Sequence, residues 1–159
     1  MKYNAYEIIE MAKKIEDNGS AFYRMAAEKT TESKAKTLFE DLAKMEDVHK
    51  MVFEDFKSYF SDEEWTNMNF DSDNQMFTYL KEMADTVVFN LKNAERDLNE
   101  INTIDDIFRY AIEKEKESVL FYLGIKEIVP EKLGKDKVAD IISEEMKHIA
   151  VLSDAWKNY

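Results

Sequence analysis

The sequence predicts an all-α protein in which two antiparallel helix hairpins are joined by a long, partly helical crossover. Its 159 residues include three Gly and one Pro, so few residues interrupt a helix. Apolar residues recur at spacings of three and four over four long stretches, which is the period of a helix with one buried face. The two hairpins are also related by a sequence pattern that repeats after 99 positions.

The first hairpin is predicted over residues 5–59. Asn4 and Glu7 form a capping-box pattern, and the helix that follows runs to about Lys29. The turn and the next helix cap are assigned to three hydroxyl residues, Thr30, Thr31 and Ser33. The second helix is expected to end near Tyr59.

The second hairpin is predicted over residues 103–157. Thr103 or Asp105 can cap its first helix, and Pro130 ends that helix because proline cannot continue it. The last helix is expected to start after Gly134. The four long helices and the crossover are together expected to form a single domain over residues 1–159.

The crossover, residues 60–102, is the least regular part of the sequence. Acidic and amide residues over 62–73 are typical of a loop, whereas a helical period returns between Met76 and Leu98. The crossover is also rich in aromatic residues, namely Trp65, Phe70, Phe77, Tyr79 and Phe89. We expect these rings to cover the bundle or to contact a second copy of the chain in a homodimer, with a substrate pocket as the alternative.

The repeat of 99 positions carries carboxylate, imidazole and phenol side chains. The first half has Glu16, Tyr23, Glu46 and His49, and the second half has Glu115, Tyr122, Glu145 and His148. Each histidine has a Glu three residues before it and another Glu thirty residues before that one. The chain contains no other histidine.

Helix geometry brings these acids to one level of the bundle. Thr31 lies midway between Glu16 and Glu46, and Pro130 lies midway between the two Glu residues of the second half. Fifteen residues of helix span about 22 Å, so each Glu lies in the middle of its helix, where burial is expected. Spacings of four, three and four also place each Glu-x-x-His pair on the apolar face of its helix.

Four carboxylates buried at one level would repel one another unless cations neutralise them. Two divalent metal ions cancel the four negative charges, and oxidation to trivalent ions could be balanced by an added anion, so the pattern suits redox chemistry. Imidazole and carboxylate ligands favour iron or manganese, and zinc would also bind. One Glu-x-x-His alone is usually a solvated helical pair, but two copies in register predict a dinuclear metal site.

Several neighbours of the proposed ligands have alternative interpretations. Tyr23 and Tyr122 are candidate catalytic residues, although a core role with the hydroxyl bonded to a carboxylate is favoured over a radical role. Small residues at Gly19 and Ser118 would leave room beside the metals or allow tight helix packing. Three flanking acids are rotated off the shared face and are interpreted as solvated charges: Glu113, Glu117 and Glu144.

Composition excludes several other classes of site and partner. The chain has no Cys, which removes disulfides, thiolate ligands and iron–sulfur clusters. A net charge of −12 disfavours nucleic acid and anionic membranes as partners. No signal-peptide or transmembrane pattern is found, so a cytoplasmic location is expected.

At these residues the chain resembles the rubrerythrin-like branch of the ferritin-like superfamily. The phrases IEDNGSAFY and EKEKESVLFY are similar to the family's first and third helices, and EDVH and EMKH are similar to its metal motifs. The resemblance implies an up-down-down-up bundle in which two iron ions are held by Glu16, Glu46, His49, Glu115, Glu145 and His148. By the same resemblance, Glu46 and Glu145 would bridge the two ions.

The resemblance also implies a function. A di-iron oxidoreductase would reduce peroxide or dioxygen and take electrons from an external donor, such as a separate rubredoxin-like protein. Iron oxidation, transport or storage is one alternative, and a non-catalytic metal-binding or sensing protein is another. This sequence has Ser118 where full rubrerythrins carry an extra metal-ligating Glu, and it lacks the cysteines of their rubredoxin domain.

Overall fold

The residues that the structure describes form six α-helices and no strand. The structure is a computed structural model that describes residues 5–59, 61, 63, 75–87, 91–101, 103–131 and 134–159. The helices are α1 (Ala5–Lys29), α2 (Ser33–Phe56), α3 (Gln75–Glu82), α4 (Leu91–Glu100), α5 (Ile104–Ile128) and α6 (Lys135–Lys157). A 3₁₀ turn, Lys57–Tyr59, extends α2, and a π-helical turn, Met83–Val87, follows α3. The predicted all-α class is therefore confirmed.

Four long helices form the bundle. Helix α1 packs along α2, and α5 packs along α6, so the two predicted hairpins are present. Contacts of α1 with α5 and of α2 with α6 join the hairpins. Apolar side chains from all four helices form one continuous core between them. No described helix is long and apolar enough to span a membrane.

The cap of α2 differs from the prediction. Glu32 occupies the N-cap position, and its carboxylate accepts hydrogen bonds from the backbone N–H groups of Lys34 and Ala35. Thr30 instead donates its hydroxyl to the carbonyl of Ala26 at the end of α1. The longer Glu side chain reaches the free N–H groups of the first turn, which are normally capped by a shorter residue.

The second hairpin begins and ends where the sequence predicted. Thr103 caps α5 by accepting a hydrogen bond from the Asp106 N–H, and α5 ends just before Pro130. Gly134 precedes α6 with a φ of 97°, in the left-handed region that favours glycine. A Cβ at this position would also lie 3.1 Å from the ring of Phe56, so a larger residue would have little room.

The described part of the crossover covers the bundle. Helix α3 lies on α1 and α5, α4 lies on α1, and Phe77 and Leu80 are fully buried beneath α3. Close packing occurs at Gly124, where an added Cβ would lie 2.9 Å from Leu80 Cδ2. By contrast, Tyr79 is 41% exposed, so it does not belong to the core.

The helical period predicted from Met76 to Leu98 is interrupted by the π-helical turn, which widens the helix after α3 and changes the phase of its faces. Three of the predicted aromatic contacts lie outside the described residues, namely those of Trp65, Phe70 and Phe89. Most of the predicted loop over 62–73 lies outside them too; Glu63, which is described, has a helical backbone.

The packing of α3 gives a first testable prediction. Phe77→Ala removes a fully buried ring and should lower the free energy of unfolding by about 3 to 5 kcal/mol. Tyr79→Ala, at a position that is 41% exposed although its ring lies over Gly124, should cost clearly less, about 1 kcal/mol. Urea denaturation of both variants measures the difference. Equal midpoints would mean that α3 does not pack on the bundle in solution.

Candidate metal centre

Six side chains from four helices meet in the middle of the bundle. Glu16 comes from α1, Glu46 and His49 from α2, Glu115 from α5, and Glu145 and His148 from α6; each is at most 4% exposed. Their ligand atoms form two groups, in each of which the atoms lie within 4.8 Å of one another. One group contains Glu16, Glu46, His49 and Glu145, and the other contains Glu46, Glu115, Glu145 and His148. Glu46 and Glu145 belong to both groups, which is the arrangement of bridging carboxylates.

The helical spacing explains why these polar groups point inward. On α2 the proposed ligands lie one turn from Leu42 and Phe53, which are both buried. On α6 they lie one turn from Ile141 and Leu152, which are buried as well. Each Glu-x-x-His pair therefore interrupts an apolar stripe, and packing of that stripe buries the pair.

Both imidazoles direct Nδ1 at the carboxylates. His49 Nδ1 lies 3.0 Å from a Glu145 oxygen and 3.4 Å from a Glu46 oxygen. His148 Nδ1 lies 3.1 Å from the other Glu145 oxygen and 3.4 Å from Glu46. The two rings stack with centroids 5.4 Å apart and planes 17° apart. The two Nδ1 atoms thus lie on either side of the shared carboxylates.

Several of these buried atoms have no hydrogen-bond partner. They are Glu46 Oε1, Glu115 Oε2, Glu145 Oε2, His49 Nδ1 and His148 Nδ1. Leaving a buried polar atom unsatisfied costs about 1 to 3 kcal/mol, and buried polar groups are normally bonded. All five atoms are oxygen or imidazole nitrogen, and all lie in the two groups of ligand atoms. Two metal ions would satisfy them, and such ligands suit iron, so the residues present fit a di-iron centre.

The raised pKa values of the terminal carboxylates also indicate that this site favours a bound cation. Burial, with the nearby charge of Glu46, raises the pKa of Glu16 well above its ordinary value. Burial and the charge of Glu145 raise the pKa of Glu115 in the same way. Burial acts on Glu145 too, but the imidazoles of His148 and His49, whose Nδ1 atoms lie 3.1 and 3.0 Å from its oxygens, outweigh it and lower the pKa of Glu145. The central carboxylate is thus ionised between two imidazoles.

The surrounding carboxylates favour protonated histidines when no metal is bound. Burial alone would lower the pKa of His148, but the carboxylates of Glu115, Glu145 and Glu46 outweigh it and raise this pKa to about 12. The carboxylates around His49, with Glu145 foremost, also raise its pKa far above the ordinary value, against the opposing effect of burial. Two imidazolium ions therefore supply part of the positive charge that the four carboxylates require, and a metal must displace their Nδ1 protons.

Each tyrosine of the repeat donates its hydroxyl to a carboxylate on the opposite hairpin. Tyr23 bonds to Glu115, and Tyr122 bonds to Glu16, and both rings are fully buried. The predicted bond from hydroxyl to carboxylate is therefore present. Since each tyrosine follows its own Glu by seven residues, the crossed pairs require α1 and α5 to run antiparallel. With the two hairpins, this gives the up-down-down-up order that the resemblance implied.

Glu144 was predicted to be a solvated charge, and its side chain is exposed, but it also makes a contact that the prediction lacked. One of its carboxylate oxygens lies 2.7 Å from His49 Nε2, although the side chain remains 52% exposed. Helical periodicity does not indicate this contact, because residue 144 lies on the exposed face of its own helix. Glu113 and Glu117 instead pair with Lys116 and Lys114 on their own helix.

The two small residues beside the ligands are buried. Gly19 on α1 and Ser118 on α5 each lie one turn after the Glu of the site. The hydroxyl of Ser118 has no hydrogen-bond partner.

Comparison with known proteins agrees with this geometry. A family model described as Rubrerythrin matches residues 7–105, more than half of the chain. A crystal structure of a candidate ferritin-like diiron-carboxylate protein from Thermotoga maritima superposes with a TM-score of 0.68 at 20% identity, covering 98% of this chain and 96% of that one. At this identity the likeness shows the fold, and it confirms the predicted ferritin-like bundle. No curated protein has significant sequence similarity to the chain.

Proton release gives a second prediction. Because both imidazoles are protonated in the metal-free protein, binding of two divalent ions at pH 7 should release about two protons or more. The affinity for metal should therefore rise with pH between about 6 and 8. Calorimetry of manganese binding in buffers of different ionisation enthalpy measures the release. His148→Gln should release about one proton fewer, and an affinity independent of pH would contradict the protonated state.

The ligand set gives a third prediction. Glu145→Ala removes a carboxylate common to both groups, so it should abolish binding of the metal pair. Glu115→Ala should weaken binding, whereas Glu113→Ala, at a position 58% exposed on the same helix, should keep the metal content. Metal analysis after anaerobic iron loading compares the three variants. Loss of metal in Glu113→Ala but not in Glu115→Ala would mean that α5 presents another face to the core.

Proposed function

The chain belongs to the rubrerythrin family of di-iron carboxylate proteins, and from this premise we propose that it is an oxidoreductase that reduces peroxide or dioxygen. The observation that carries the proposal is the pair of buried ligand groups that share Glu46 and Glu145. Two iron ions held by shared carboxylates can act together on one small substrate. A single structural metal ion would leave the ligand atoms of the second group without a partner.

The residues divide into two terminal sets and one shared pair. Glu16 and His49 would hold one ion, and Glu115 and His148 would hold the other, while Glu46 and Glu145 would be shared by both. When bound, two ferrous ions supply one electron each, which is the number needed to convert peroxide and two protons into two molecules of water. The four carboxylates would offset the charge of a ferrous pair, so the residues present suit a reduced centre that is close to neutral.

The surrounding side chains hold this centre in place. The hydroxyls of Tyr23 and Tyr122 donate to Glu115 and Glu16, which fixes the terminal carboxylates from the opposite hairpin. Burial raises the pKa of both phenols well above the ordinary value, so they stay protonated as donors. The ligand side chains are shielded from bulk water, which strengthens electrostatic interactions within the site.

Continued turnover requires an external electron donor. The sequence has no Cys and therefore no iron–sulfur or rubredoxin centre of its own. We propose that a separate redox protein of the rubredoxin type is the donor. We also propose that this protein works in the cytoplasm. The small substrate would reach the centre between the helices beside Gly19 and Ser118, where the side chains are small.

Rapid kinetics tests the proposal and gives a fourth prediction. The protein loaded with ferrous iron under anaerobic conditions should be oxidised by about one equivalent of peroxide for each iron pair. Stopped-flow absorbance follows this step, and added reductant should allow repeated turnover. Glu145→Ala, treated in the same way, should show no fast oxidation of this stoichiometry. Iron that accumulates beyond the pair without repeated turnover would instead favour an iron-handling protein.

A further inference from the structure

The two halves of the metal centre differ at one hydrogen bond. His49 Nε2 lies 2.7 Å from a carboxylate oxygen of Glu144. No side chain among the described residues accepts a hydrogen bond from His148 Nε2. In the repeat of 99 positions, the counterpart of Glu144 is Met45, an apolar residue that is 49% exposed. The approximate symmetry of the six ligands therefore does not extend to the groups behind the imidazoles.

The bond to Glu144 has a defined direction. An ionised carboxylate can only accept, so His49 must carry a proton on Nε2 and donate it. The ring is then oriented with Nδ1 toward Glu145, Glu46 and Glu16, at 3.0 to 3.5 Å. A carboxylate behind a metal-binding histidine fixes its tautomer and makes the ligating nitrogen more basic. His148 has the same orientation of Nδ1, and no carboxylate among the described residues supports its ring in this way.

From this difference we propose that Glu144 is a positioning residue for the His49 side of the centre and makes the two metal positions unequal. The position formed by Glu16 and His49 binds a divalent ion first and more tightly, and the position formed by Glu115 and His148 fills second. This inference rests on the metal centre proposed above, and it adds the order of loading and the residue that sets it.

The expected size of the effect follows from the exposure of Glu144. Partners behind a metal ligand typically change metal affinity by about 10- to 100-fold. Glu144 is 52% exposed, so water screens its charge, and the lower end of that range, about tenfold, applies. A plain surface charge at Glu144 would act through its charge alone, so removing it would change metal binding no more than removing the charge of Glu113 does.

Four variants separate these two readings. Glu144→Ala removes the acceptor, and Glu144→Gln keeps an acceptor oxygen without the charge. Met45→Glu places a carboxylate at the matching position before Glu46, where the exposed site tolerates charge. Glu113→Ala is the control, because it removes one negative charge from a Glu 58% exposed that lies off the site. None of these changes removes a proposed ligand.

Nuclear magnetic resonance of the zinc-loaded protein tests the hydrogen bond directly. The chain has only two histidines, so ¹⁵N-labelled histidine gives signals from two imidazole rings, and single His variants assign each ring. We expect the Nε2 proton of His49 to resonate downfield and exchange slowly in the wild type and in Glu113→Ala. Glu144→Ala should abolish this signature for His49 alone. A His49 signal unchanged by Glu144→Ala would overturn the proposal.

Stepwise metal binding tests the consequence. Calorimetric titration of the wild type with cobalt(II) should show two steps that differ by about tenfold in affinity. Glu144→Ala should weaken the first step by about that factor, Glu144→Gln should weaken it less, and Met45→Glu should strengthen the second step. First-step affinities of Glu144→Ala and Glu113→Ala within about twofold of the wild type would overturn the inference while leaving the metal centre intact. Failure of the wild type to bind two ions would instead refute the proposed centre itself.

Discussion

Repulsion among four buried carboxylates is the constraint on which the rest of this structure depends. Glu16, Glu46, Glu115 and Glu145 lie at one level of the core, where water cannot screen them. In the metal-free protein, the two imidazolium ions and protons on the terminal acids reduce this repulsion. Unsatisfied ligand atoms remain all the same, and bound cations would satisfy them.

This constraint explains the long regular helices. A ligand near a frayed helix end could not be held in a fixed position, whereas a ligand in mid-helix inherits the rigidity of the turns on both sides. The crossed bonds of Tyr23 to Glu115 and of Tyr122 to Glu16 then connect the hairpins through the site itself. Helix packing and ligand geometry therefore stabilise each other, and the metal should contribute directly to the stability of the fold.

The described part of the crossover packs against the outside of the same core. Helix α3 buries Phe77 and Leu80 against the bundle, and the close approach at Gly124 allows α3 to lie directly on α5. The exposed face of α3, which includes Tyr79, is separate from the ligands. The crossover accordingly protects one side of the bundle, while all six proposed ligands come from the four long helices.

The sequence by itself determined the four long helices, the ends of α5 and the start of α6, and the level of the four carboxylates, because these depend on helical period, Pro130, Gly134 and residue spacing. It predicted a tyrosine hydroxyl bonded to a carboxylate, but only the tertiary structure decided which carboxylate on the other hairpin accepts. The same holds for Glu32 as the cap of α2 and for Glu144 behind His49. Both are exposed or half-exposed side chains whose partners depend on reach and on neighbouring helices, which helical periodicity does not encode.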